Sequence, residues 1–211
     1  MSYLIQIQLK EILIIENGTV EKVEGVNGIS FSLFYPKSGV PSVETLRTLR
    51  LKDREPMSFI SRPFTEKLLF KQEIQGDTFL QVKISAIERV SKFEKILNRL
   101  FGTALTTVVG AFTGVGAVFT AVATDLTSSI FELTEPQNNI SVIAEGEMPI
   151  TELTPEGDFL VQLSVPDDLT ITQTIHGKTK EIRLKKGFTN ARVVFDLKRL
   201  DRKPPQADLI A

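Results

Sequence analysis

The chain has 211 residues, 42% hydrophobic and 24% charged, with a net charge of −1, one histidine and no cysteine. That length can bury a substantial core in one domain or two. The composition excludes disulfides, thiolate chemistry and thiolate metal sites, and it leaves no whole-protein field to attract nucleic acid or acidic lipid.

In the first segment, Ile5, Ile7 and Leu9 alternate with Gln6, Gln8 and Lys10, the period of a strand. The run from Tyr3 to Ile15 has no basic leader and is interrupted by polar residues, so it reads as a strand rather than a secretory signal. This predicts a cytoplasmic chain, with membrane association kept open. Asn17-Gly18 and Asn27-Gly28 separate the strand-like runs Thr19–Val26 and Ile29–Tyr35. Asn-Gly favours two-residue hairpin turns because both residues tolerate positive φ, so a three-stranded meander is expected first.

Short strands are expected near Leu46–Leu51 and Met57–Ile60. Thr65–Ile74 and Thr78–Glu88 are expected to pair around Gln75-Gly76-Asp77, with Leu80, Val82, Ile84 and Ala86 on one face. Later strands are expected at Ile140–Met148, Phe159–Val165, Leu169–Ile175, Thr179–Lys185 and Ala191–Leu200, between Pro-, Gly- and Asp-rich separators. So many short strands predict a mainly β protein, an antiparallel β-sandwich. Its first part spans residues 1–90. Residues 138–200 supply the remaining strands or a second small β-domain, and 201–211 form a tail.

Between the two sets of strands, Leu100–Thr124 contains no charged residue. A helical insert is expected over about 91–134, opened by a capping box at Ser91 and Glu94 and closed by Pro136. Phe101, Phe112 and Phe119 recur on one helical face, and Gly110, Gly114, Ala117 and Ala121 on the opposite one. One continuous helix would be about 63 Å long; glycine clustering suggests a hairpin instead. Three uses are open: packing on the sandwich, self-association through the small-residue face as in small-xxx-small pairs, or triggered membrane insertion.

Leu4–Ile15, Leu68-Leu69-Phe70 leading to Phe79–Ile84, and Glu145–Ile150 together resemble the strand order of C2 domains over about residues 1–150. Calcium-binding members carry an aspartate cluster where this chain reads Ile87–Lys92. The resemblance implies a calcium-independent module that binds proteins or lipid surfaces.

Charge is segregated along the chain. Leu100–Gly177 holds ten acids and no Lys or Arg, whereas Lys178–Lys203 holds ten bases against three acids. The two segments either lie side by side and neutralise each other, or form a two-faced molecule that stacks head to tail. Arg47, Arg50, Lys52, Arg54 and Arg62 form one basic cluster. Lys178, Lys180, Arg183, Lys185 and Lys186 form a second, a candidate surface for nucleic acid or lipid headgroups. Aromatic platforms for bases are lacking beside both, which disfavours nucleic acid.

No nucleophile has a base in view, and one histidine, His176 at a turn, argues against a triad or a histidine metal site. The expectation is a non-enzymatic protein without cofactor or metal. It associates with itself or another protein chain through the insert, or alternatively with a membrane as a regulated pore former.

Overall fold

A computed structural model describes residues 2–19, 24–34, 43–87, 118–122, 140–175 and 178–200. Its strands are β1 (Ser2–Ile14), β2 (Glu24–Phe34), β3 (Val43–Lys52), β4 (Met57–Ser58), β5 (Leu68–Gln75), β6 (Thr78–Ile87), β7 (Val118–Val122), β8 (Ile140–Ile150), β9 (Gly157–Ser164), β10 (Leu169–Ile175), β11 (Lys178–Leu184) and β12 (Thr189–Arg199). The single helix among the described residues is α1 (Phe64–Lys67).

Ten strands form one sheet in the order β4-β1-β12-β9-β8-β6-β2-β3-β7, with β5 also paired to β1; β10 and β11 form a separate hairpin. Every strand pairing is antiparallel. The sheet curls until β1 meets the end of β3, where Ile14 and Asp53 make a parallel bridge and the Arg54 N–H donates to the Ile14 carbonyl at 2.7 Å. The result is a nearly closed barrel rather than a sandwich.

Strand alternation fills its interior. In β6, Leu80, Val82, Ile84 and Ala86 all point into the core, as the period of two predicts. In β1, Ile5, Ile7 and Leu9 are inward, and so are Ile12 and Ile14. The change of parity coincides with a register shift between Leu9 and Glu11, a bulge that keeps both runs facing inward.

The expected sandwich with a helical insert is overturned. Val118–Val122 lies inside the segment expected to be helical, yet it is a strand that pairs with β3 in register from Arg47↔Val118 to Val43↔Val122. Its V-F-T-A-V sequence suits a pleated edge as well as an apolar helix face, and pairing with β3 decides between them. The remainder of the expected insert lies outside the described residues.

The expected meander and the β5–β6 hairpin also fail. Asn27-Gly28 lies within β2, and β1 and β2 are not neighbours. Asn27 is buried, donating from Nδ2 to the Asn17 carbonyl at 2.9 Å and the Ser85 carbonyl at 3.4 Å. Its side chain pins the preceding loop instead of making a turn. Gly18 does take the left-handed conformation, at φ 80°. Strand β5 pairs with β1 and β6 with β2 and β8.

Two side chains of β3 join it to β5 where no backbone ladder does. Thr45 Oγ1 donates to the Leu69 carbonyl at 2.9 Å. Arg47, only 1% exposed, donates to the Glu66 carbonyl and, at 2.6 Å, to that of Leu68. Burial pushes its guanidinium down to about 10, against the pull of Glu66.

Candidate interaction surfaces

The structure divides the residues singled out from sequence. Gly110, Gly114, Ala117, Phe101 and Phe112 lie outside the described residues, while Phe119 and Ala121 belong to β7. Of the first basic cluster, Arg47 turns into the core, whereas Arg50, Lys52 and Arg62 meet around one cleft. Of the second, Lys178, Lys180 and Arg183 belong to β11, and Lys185 and Lys186 to the exposed turn after it.

The cleft lies where β2 begins and β3 ends. It encloses about 350 Å³ between the β2 and β3 ends and the segment after them, and is lined by Glu24, Arg50, Lys52, Glu55, Pro56, Met57, Ser58 and Arg62. Its charges are mixed: Arg50 faces Glu24 at 3.9 Å, Lys52 faces Glu55 at 3.3 Å, and Arg62 faces Glu66 at 3.4 Å. The turn into it holds Arg54 at φ 60°, a conformation side chains other than glycine seldom adopt. Beside it, Asp53 accepts the Asn17 N–H at 2.7 Å. Burial raises the Asp53 carboxyl, and that hydrogen bond partly opposes the shift.

Next to the cleft, Ile60 is 66% exposed and Phe64 50%. Hydrogen bonds hold the loop that carries them. The Phe59 N–H donates to the Lys10 carbonyl at 2.8 Å and the Arg62 N–H to that of Phe59 at 3.0 Å; Lys67 Nζ donates to the Ile60 carbonyl at 3.2 Å. Phe59 is buried in the core and anchors the loop. The sequence signal was the run Phe59-Ile60 followed by Pro63-Phe64, which alternation alone cannot divide into buried and exposed members.

A second rigid turn closes the lower end of the barrel. Arg199 is buried and donates from one nitrogen to the carbonyls of Thr151, Glu152 and Thr154 at 2.8, 2.6 and 3.0 Å. Its guanidinium lies 4.6 Å from the centre of the Tyr3 ring. The Thr154 N–H donates to the Thr151 carbonyl at 3.1 Å, and Thr154 Oγ1 accepts the Thr151 N–H at 2.8 Å. This turn displays Leu153 at 91% exposure.

The β10–β11 hairpin leaves the opposite end. Its root is tied down by Ile171 and Leu184, both buried in the core. The Gly187 N–H donates to the Val165 carbonyl at 2.9 Å, and the Val165 N–H to the Phe188 carbonyl at 2.9 Å.

Among the described residues there is no group of acids or histidines arranged to hold a metal, and no helix long and apolar enough to cross a membrane. The chain matches no protein-family model and no curated protein.

Proposed function

We propose that this is a non-enzymatic binding protein that engages a partner chain through the cleft face of its barrel, with Ile60 and Phe64 as apolar anchors and the adjoining cleft as a polar rim. The observation that carries this reading is the exposure of these two side chains on a loop fixed by backbone and side-chain hydrogen bonds. Apolar anchors surrounded by polar, hydrogen-bonding groups are the usual anatomy of a protein interface. A preformed loop loses little freedom on binding. The mixed charges favour a protein over nucleic acid, because a phosphate backbone would meet Glu24 and Glu55 as well as the arginines.

A photo-crosslinking residue placed at position 60 or 64 in the cell of origin tests it, with position 162 on the exposed face of β9 as control. The expected result is a discrete adduct from 60 and 64, absent from 162. The purified adduct partner should then bind the wild-type chain and lose affinity at least tenfold for Ile60→Asp. Identical adduct patterns from all three positions would refute the assignment.

A further inference from the structure

We infer that copies of this chain associate head to tail, the lower turn of one on the upper hairpin of the next. This interface is separate from the cleft face and does not depend on it.

The topology sets the two surfaces at opposite ends of the barrel. Strand β9 rises from the turn that displays Leu153 and leads through Val165 into β10, and β12 descends from the end of β11 back to Arg199. The eight residues of β9 separate the two surfaces by about 26 Å. Surfaces at opposite ends cannot meet within one molecule; they can meet only between molecules.

Charge is complementary between these ends. The lower turn carries Glu152, Glu156 and Asp158 around the buried Arg199. Asp158 pairs with Lys10, while Glu152 and Glu156 have no ion pair among the described residues. From Val165 to Phe188 there are five bases, Lys178, Lys180, Arg183, Lys185 and Lys186, against the three acids Asp167, Asp168 and Glu181. Asp167 pairs with Lys186 at 3.0 Å and Glu181 with Arg183 at 2.9 Å, and Asp168 accepts the Lys186 N–H at 2.8 Å. A net positive charge remains on the hairpin. Lys186–Asp167 is the one ion pair among the described residues that joins the acidic and basic sequence segments.

Each end also presents an apolar side chain on a fixed turn: Leu153 below, and Phe188 above at 44% exposure. The carbonyl bonds from buried Arg199 fix the turn that holds Leu153 out in water. An apolar centre beside net charge of one sign, facing an apolar centre beside net charge of the other, makes a heterologous contact. Repetition of that contact gives open chains of molecules rather than closed dimers.

Sedimentation of the purified full-length chain tests this, with protein raised to about 1 mM and salt set at about 0.02 M or 0.5 M. The weight-average mass should rise with concentration at low salt and fall back at high salt. A chain carrying E152K and E156K, and another carrying K180E and K185E, should each remain monomeric. Mixed in equal amounts they should co-assemble, because each then meets an opposite charge at both ends. Leu153→Asp should weaken association at least tenfold. Glu152, Leu153, Glu156 and Lys185 are exposed and residue 180 belongs to strand β11, so thermal midpoints should match the wild type. A wild-type chain that stays monomeric throughout would overturn the inference. So would swaps without effect, or a mixture that fails to assemble. Association abolished by Ile60→Asp but not by the end variants would assign it to the cleft face instead.

Discussion

The buried arginine between β3 and β5 offers a sharp test of how this barrel closes. Two opposing effects act on Arg47. A guanidinium pushed down to about 10 has lost roughly 3 kcal/mol of its preference for the charged form. Against that, its two bonds to the Glu66 and Leu68 carbonyls are charge-assisted, at about 1.5–3 kcal/mol each. Arg47→Met removes the buried charge, keeps much of the volume and leaves both carbonyls without this partner. The two effects largely offset, so we expect a loss of about 0–3 kcal/mol. Arg47→Ala strands the same carbonyls and also opens a cavity, so it should cost about 2–4 kcal/mol more than the methionine variant. Urea unfolding measures both. Amide exchange should show β5 opening before β6 and β2 in the methionine variant even when its global stability is close to wild type. Equal stability of the Met and Ala variants, or unchanged exchange in β5, would show that Arg47 does not hold the seam.

Ile60→Asp and Phe64→Asp alter exposed side chains and should change unfolding free energy by less than about 0.5 kcal/mol; a larger loss would place them in the core. Asn190, fully buried, accepts the Glu16 N–H and donates to the Glu16 and Ile143 carbonyls, each at 3.0 Å. Asn190→Ala should cost about 2–4 kcal/mol by chemical denaturation, and a neutral variant would mean that the top of the barrel does not rely on it. A Cβ at Gly146 would sit 2.5 Å from the Gln162 carbonyl oxygen, so Gly146→Ala should cost about 1–3 kcal/mol in the same assay; no loss would indicate that β8 and β9 part freely. Because burial raises Asp53, its ionisation opposes folding. The penalty is absent below the ordinary carboxylate range, grows as pH climbs to the raised native value, and persists above it. Asp53→Asn keeps an oxygen for the Asn17 N–H and should gain stability relative to wild type as pH rises through that range. A pH-independent difference between the two would contradict this account.

Most strands were legible because alternation is a local property. From Leu80 to Ala86 in β6, and in β9 apart from exposed Leu160, inward apolar residues alternate with outward polar ones. Pairing was much less legible. Asn27-Gly28 carries the strongest short-range hairpin signal, yet in β2 the partners are β3 and β6 and the asparagine is used to anchor a neighbouring loop. Whether two sets of strands stack as a sandwich or curl into one barrel depends on long-range register, to which hydrophobic periodicity is blind. At Val118–Val122 the periods of helix and strand fitted the same five residues. For the cleft surface, the sequence grouped Arg50, Lys52 and Arg62 correctly but included Arg47, whose inward position in β3 follows from parity with Leu49 and Leu51. Leu153 could not be recognised as exposed without Arg199, 46 positions away and on another strand.

The pairing of β1 with β12, from Ile5↔Arg199 to Ile14↔Ala191, bears on how the protein is made. At about 5–20 residues per second, a ribosome delivers β12 roughly 10–40 s after β1. For that interval the apolar first strand can pair on one edge with β5, while its other edge waits for the C-terminal strand. Truncation before Thr189 would leave that edge permanently open, a template for pairing with other chains. Completion of the barrel must therefore follow synthesis of β12, and a non-local closure of this kind is slow. Incomplete chains would be the form of this protein most prone to aggregate.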